Sequence, residues 1–245
     1  MFLYKIVTFP NTEQQNDEHE KFIEEQNWYI AALQKNGQIL SHGNVTVFED
    51  GKFINYVLTP EINSLNSVFN NRYVNEFLNN LIQLSSSVPT NINVGKSTDF
   101  EPSCTCQSPS SYILYTEMWH HVSPVSCGDC KKTIPLYKLP KINEEDEYFS
   151  VLSWQKAFNA CDRLFYEGIN ERGAYKQMSN PASELSIMGR KICTLLEQAT
   201  GKPFYYNLYR QYSRKKKVCP SCGETWDKES GLKKYCCQKC RLVSE

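Results

Sequence analysis

The spacing of apolar positions changes four times over the first hundred residues, and each change marks a new element. Phe2-Leu3-Tyr4-Lys5-Ile6-Val7-Thr8 reads as a strand, ended by Pro10 and Asn11. Residues 17–35 place Phe22, Ile23, Trp28, Tyr29, Ile30 and Leu33 at helical spacing, and Gly37 stops that helix. Residues 44–48 and 53–58 alternate around Glu49-Asp50-Gly51, a turn that signals a hairpin. A second helix is predicted over 63–85, through Leu65, Phe69, Tyr73, Phe77, Leu81 and Leu84, and residues 91–95 supply a last strand. The order β-α-β-β-α-β predicts a ferredoxin-like domain, an antiparallel sheet with two helices on one face.

The next hundred residues follow a different rhythm. A Ser/Pro/Cys-rich stretch leads into a hairpin in which Tyr112, Leu114 and Thr116 alternate with Ile113, Tyr115 and Glu117. Val151, Trp154, Phe158, Cys161 and Phe165 form one apolar stripe of a helix. A second helix opens at Asn180-Pro181, carries Leu185, Met188, Ile192, Leu195 and Ala199, and stops at Gly201. Residues 204–209 read as a strand entering a basic linker. The expected fold class is therefore α+β, in three parts. Residues 1–100 form the ferredoxin-like domain, 101–210 a hairpin and helical region, and 211–245 the basic linker with a cysteine-bearing tail.

Composition narrows the class. The 245 residues are 40% hydrophobic and 22% charged, ordinary for a globular protein. No apolar run approaches the ~20 residues of a membrane helix, so no membrane partner is expected. The N-terminus has no basic leader and no small-residue cleavage site. With eleven cysteines, this predicts a reducing, cytoplasmic setting in which paired thiols are metal ligands. Net charge is zero, but residues 202–245 hold 11 Lys/Arg against 4 Asp/Glu, whereas residues 1–100 hold 6 against 11. A basic tail of this kind faces a polyanion or an acidic protein.

The tail also holds the strongest motif. Cys219-Pro-Ser-Cys222-Gly and Cys237-Gln-Lys-Cys240 give C-x2-C-x14-C-x2-C, two tight turns whose four thiolates complete the tetrahedron of one Zn²⁺. Four sulfurs fill the metal's shell, so this zinc ribbon is structural. Cys236 stands beside the motif as a bystander. A second group, Cys104-Thr-Cys106 with Cys127-Gly-Asp-Cys130, predicts a second Zn²⁺ that clamps the ends of the hairpin. His120 and His121, between its pairs, are alternative ligands or surface strand residues. Cys161 and Cys193 fall on or beside apolar helix faces and read as core.

Ser123-Pro-Val-Ser-Cys127-Gly-Asp-Cys130, Ile134-Pro-Leu-Tyr-Lys-Leu-Pro140 and Cys237-Gln-Lys-Cys240-Arg-Leu-Val resemble a bacterial family. It is the poorly characterised group of zinc-ribbon-containing proteins with a suggested nucleic-acid-binding role. The resemblance implies a cytoplasmic bacterial protein that holds zinc.

Two functions are expected from these features. The first is binding of RNA, the ribosome or DNA through Arg210, Arg214, Lys215, Lys216, Lys217, Lys233, Lys234 and Trp226. Lys239, Arg241, Tyr205, Tyr206, Tyr209, Tyr212 and Tyr235 stand in the same segment. The alternative is a protein partner, an immunity protein neutralising a cognate toxin, for which the acidic residues 1–100 suit a basic target. No phosphate-binding loop, nucleophile elbow or open metal site is found, and Glu144-Glu145-Asp146-Glu147 reads as a solvated loop. The expectation is a protein without catalytic activity or a small-molecule substrate.

Overall fold

The computed structural model describes residues 1–11, 16–142, 147–210, 212, 218–229 and 234–244. Those residues form two compact units, one built on Met1–Ser103 with Pro135–Lys138, the other on Cys104–Ile134 and the chain from Phe149 onward.

In the first unit the elements run β1 (Phe2–Thr8), α1 (Asn16–Lys35), β2 (Val45–Glu49), β3 (Lys52–Thr59), α2 (Arg72–Gln83) and β4 (Thr90–Lys96). Their sheet has the order β2-β3-β1-β4 with every pair antiparallel, the arrangement expected of a β-α-β-β-α-β chain. Asp50 and Gly51 both take positive φ, 51° and 73°, in the two-residue turn joining β2 to β3, where the twist of the strands favours that conformation. Alternation along β1 and β3 sends Tyr4, Ile6, Phe53 and Val57 to one face, where they meet Phe22, Tyr29 and Leu33 of α1 and Val74 and Leu81 of α2.

One boundary differs from the prediction. The helix expected over 63–85 begins only at Arg72, because the Asn71 side chain accepts the Val74 N–H at 2.9 Å and caps the helix there. Residues Ser67–Phe69 form a separate 3₁₀ turn. The apolar periodicity ran through both pieces and concealed the break.

The second unit is a six-stranded mixed sheet with three helices. Its strands are β5 (Tyr112–Leu114), β6 (Val125–Cys127), β7 (Phe204–Asn207), β8 (Asp227–Glu229), β9 (Lys234–Cys237) and β10 (Leu242–Ser244). They stand in the order β6-β5-β7-β10-β9-β8. The central strand β7 pairs in parallel with β5 on one side and β10 on the other, so the two cysteine-bearing regions share one sheet. The helices are α3 (Phe149–Tyr166), α4 (Glu171–Ser179) and α5 (Glu184–Thr200). Sequence reasoning missed α4, a nine-residue helix of polar composition whose buried side is limited to Ala174 and Met178. It also started α5 too early: Ser183, not Asn180, is the N-cap, accepting the Ser186 N–H at 3.2 Å.

Strand β7 is buried on both faces. Tyr206 meets Trp154 of α3 edge-to-face at 5.8 Å, while Tyr205 points the other way into a cluster with Ile113, Cys236 and Val243. Gly189 of α5 permits this packing. A Cβ there would lie 2.3 Å from Tyr206 Cε2 and 2.7 Å from Trp154 Nε1.

Candidate metal centres

Both cysteine groups assemble. Cys104, Cys106, Cys127 and Cys130 bring their sulfurs within 4.8 Å of one another, and so do Cys219, Cys222, Cys237 and Cys240. A tetrahedral ion with Zn–S bonds of ~2.3 Å needs sulfurs about 3.8 Å apart. The Cys222–Cys237 separation is 3.6 Å. Four soft sulfur donors at this spacing fit a tetrahedral metal such as zinc.

The local backbone explains why the thiols converge. Three of the four cysteine pairs are one structure repeated. In each, the residue before the first cysteine pairs antiparallel with the residue six places beyond that cysteine: Ser126 with Thr133, Val218 with Thr225, Cys236 with Val243. The first cysteine also bonds to the residue five ahead. Cys127 N–H donates to Lys132 O at 2.9 Å, Cys219 N–H donates to Glu224 O at 2.8 Å, and Cys237 stands opposite Leu242. The residue after the second cysteine must then turn the chain back with positive φ: Lys131 at 66°, Gly223 at 77°, Arg241 at 51°. Sequence reasoning found the glycine. It missed the two side-chain-bearing residues at the equivalent place, which only the shared offset from Cys-x-x-Cys could have revealed.

The fourth pair, Cys104-Thr105-Cys106, is tighter and differently built. Cys104 N–H donates to Thr133 O at 2.8 Å, which fastens it beside the Cys127 turn, and the Cys106 N–H points at Cys104 Sγ at 3.3 Å. Gly128 lets Ser111 close over the same turn, since a Cβ there would fall 2.0 Å from Ser111 Oγ. Asp129 inside that turn accepts both the hydroxyl and the N–H of Ser110, and these bonds hold its carboxyl below its ordinary range.

Burial raises the Cys104 and Cys237 thiols, whereas the Glu224 N–H, bonded to Cys222, lowers that thiol. A thiolate is the ligand form, so a bound cation would displace these protons. Cys106 is exposed and Cys130 half-buried, while Cys104 and Cys127 are buried. His120 and His121 are half-buried, stand outside any strand and are not part of the thiol group; this corrects the expectation of surface strand residues. Cys193 is buried among the core residues of α5, as expected, and Cys161 is half-buried.

The basic residues are placed less simply. Arg210 is only 7% exposed and Trp226 4%. The guanidinium lies 5.7 Å from the indole ring centre and donates to Val218 O at 2.9 Å. Their expected role as surface contacts is therefore corrected: they close the inside of the tail. Tyr205 and Tyr206 belong to the sheet core, and Tyr209 and Tyr212 pack against Phe165 and Tyr175 at ring separations near 6 Å. Arg214, Lys215, Lys216, Lys217 and Lys233 lie outside the described residues, as do Glu144, Glu145 and Asp146; Lys234 is in β9. No helix among the described residues is long and apolar enough to cross a membrane.

With this geometry in hand, comparison places the chain. It is 32% identical over 223 residues to an uncharacterised protein of Haemophilus influenzae, covering 85% of each chain. The chain belongs to that protein's family. A second uncharacterised Haemophilus influenzae protein is 35% identical over 157 residues, covering 60% of this chain and 77% of the other. Residues 106–209 match the domain of unknown function DUF2310, and residues 1–95 match the domain of unknown function DUF8589. The descriptions of these relatives assign neither nucleic-acid binding nor an immunity role.

Two solved structures are also similar. One is described as a putative antibiotic biosynthesis monooxygenase from Nitrosomonas europaea, at 10% identity and TM-score 0.32, covering 39% of this chain and 98% of that one. The other is described as an antibiotic biosynthesis monooxygenase, at 8% identity and TM-score 0.32, covering 40% of this chain and 99% of that one. The expectation of a chain without catalytic activity is withdrawn beside these structures, which show neither the presence nor the absence of an activity in this chain. At this level of likeness, no activity passes to the family member described here.

Proposed function

We propose that this protein holds two structural Zn²⁺ ions and binds nucleic acid through the unit they stabilise. Zinc is supported by the donor chemistry: two sets of four thiols, each with its sulfurs within 4.8 Å of one another, three of the four pairs being held by the same turn. All four ligands of each set come from cysteine, which favours Zn²⁺ over the harder cations. In this reading Cys104, Cys106, Cys127 and Cys130 hold one ion, and Cys219, Cys222, Cys237 and Cys240 the other.

The observation that carries the ligand is the charge of residues 202–245, where cations outnumber carboxylates 11 to 4. A segment with that excess gains affinity for phosphates by releasing their counterions, and the gain weakens as salt rises. The reading does not need Arg210 or Trp226, which support the tail from within. It needs the run Arg214-Lys215-Lys216-Lys217.

Fluorescence anisotropy of the zinc-loaded protein with a labelled single-stranded RNA, repeated across a salt series, tests the reading. Binding at about 50 mM salt that weakens steeply by about 200 mM is expected. Replacing Arg214, Lys215, Lys216 and Lys217 together by Gln is expected to weaken it by about tenfold or more. Absence of binding to RNA and DNA at low salt contradicts the reading.

A further inference from the structure

A cleft of about 550 Å³ lies between α5 and the turn that contains Cys240. Arg190, Lys191, Thr194 and Glu197 line one wall, at helical spacings that put them on one side of α5; Lys239 and Arg241 line the other. The buried side of the same helix, through Leu185, Ile192, Cys193 and Leu196, holds that wall in place.

The charges in the cleft are not equivalent. Glu197, its one lining carboxylate, is committed to Arg241, which donates from Nε at 3.0 and 3.2 Å and from Nη2 at 3.0 Å. Glu197 also accepts the Phe204 N–H at 3.0 Å. Lys239 pairs with Glu224 at 2.8 Å. Lys239 and Arg241, which flank Cys240 in the sequence, are thus both committed to carboxylates. Arg190 and Lys191 have no such commitment: neither forms an ion pair among the described residues. Arg190 is half-buried and Lys191 exposed, so one cation stands in the wall and the next at its rim. The cleft thus offers two unpaired cations beside a carboxylate that is already neutralised.

We infer that this cleft takes the phosphodiester backbone of single-stranded nucleic acid, with Arg190 and Lys191 neutralising adjacent phosphates. The inference rests on the nucleic-acid reading above and gives it a site within the described fold. The volume lies within the range of about 300–1,000 Å³ typical of small-ligand pockets, room for a nucleotide or two and too little for the width of a duplex. Arg190 supplies a forked donor that matches a phosphate, and Lys191 a point charge.

The test uses the full zinc-loaded chain, a labelled single-stranded RNA and a salt series, comparing wild type with R190Q/K191Q. Zinc content is measured on each sample. The expected result is a loss of affinity of about tenfold at low salt and a salt slope shallower by about 1.4, the value for two lost phosphate contacts on a single strand. If R190Q/K191Q loses its zinc, Thr194→Glu carries the same test. It places a carboxylate at an exposed position in the cleft and is expected to weaken binding to a similar degree. Wild-type binding with no change in affinity or slope in a zinc-loaded variant overturns the cleft but leaves the nucleic-acid reading standing. No wild-type binding at low salt overturns both.

Discussion

Gly223, Lys131 and Arg241 hold the same place after three different cysteine pairs, and the two with a Cβ, Lys131 and Arg241, pay for it in backbone conformation. A residue with a Cβ in the left-handed region loses about 1–2 kcal/mol, and glycine avoids that loss. A Cβ on Gly223 would meet nothing within 4 Å. Gly223→Ala therefore isolates the backbone effect: a loss of about 1 kcal/mol is expected, read as weaker zinc retention in a competition with a colorimetric chelator. Gly189 is the opposite case, since steric contact and not φ decides it. Gly189→Ala is expected to lower the unfolding free energy of the second unit, read by chemical denaturation, by about 1–3 kcal/mol, because Tyr206 and Trp154 must both move. Tyr29 gives a pH effect in the first unit. Burial pushes its phenol from 10.0 up to about 12. A raised value means that the folded form keeps its proton where the unfolded form has lost it. Stability is thus intact below pH 10 and falls as pH rises toward 12, by about 3 kcal/mol at most. Tyr29→Phe is expected to remove this part of the alkaline loss in a denaturation series between pH 8 and about 12.

At the scale of elements, the sequence was most readable where one physical signal acted alone. The β2–β3 hairpin followed from Asp50-Gly51, because few residues tolerate two positive φ angles in succession. Helix α1 ends at Lys35 ahead of Gly37, as its stop signal implied. The α2 start was hidden because Leu65 and Phe69 continue the apolar spacing across a 3₁₀ turn, and only the Asn71 cap separates them. Three of the four cysteine pairs were legible from their Cys-x-x-Cys spacing, whereas Cys104-Thr105-Cys106 has the less usual single intervening residue and joins its group through the fold. Its anchor, the Cys104–Thr133 backbone bond, joins residues 29 apart, and no local pattern announces it. The basic aromatic tail was read too literally. Trp226, Arg210, Tyr205 and Tyr206 look like a stacking platform in sequence, yet they supply the core that so short a segment would otherwise lack.

At the scale of the molecule, thiol chemistry is confined to one of two units. Every cysteine lies at or beyond Cys104, and the first unit has an apolar core of its own. Chelation is therefore expected to unfold the second unit while circular dichroism and proteolysis show the first intact. Loss of both together contradicts this. The two centres should also part company under chelation. Cys106 is exposed and sits on the tighter pair, so the ion of the Cys104 group is expected to leave first.

The central claim is that each cysteine group holds one zinc. Metal content of the purified chain by mass spectrometry under non-denaturing conditions tests it most directly, with Cys127→Ser and Cys237→Ser measured alongside. Two zincs in the wild type and one in each single variant are predicted. A wild type without zinc, or one zinc that survives both substitutions, contradicts the account.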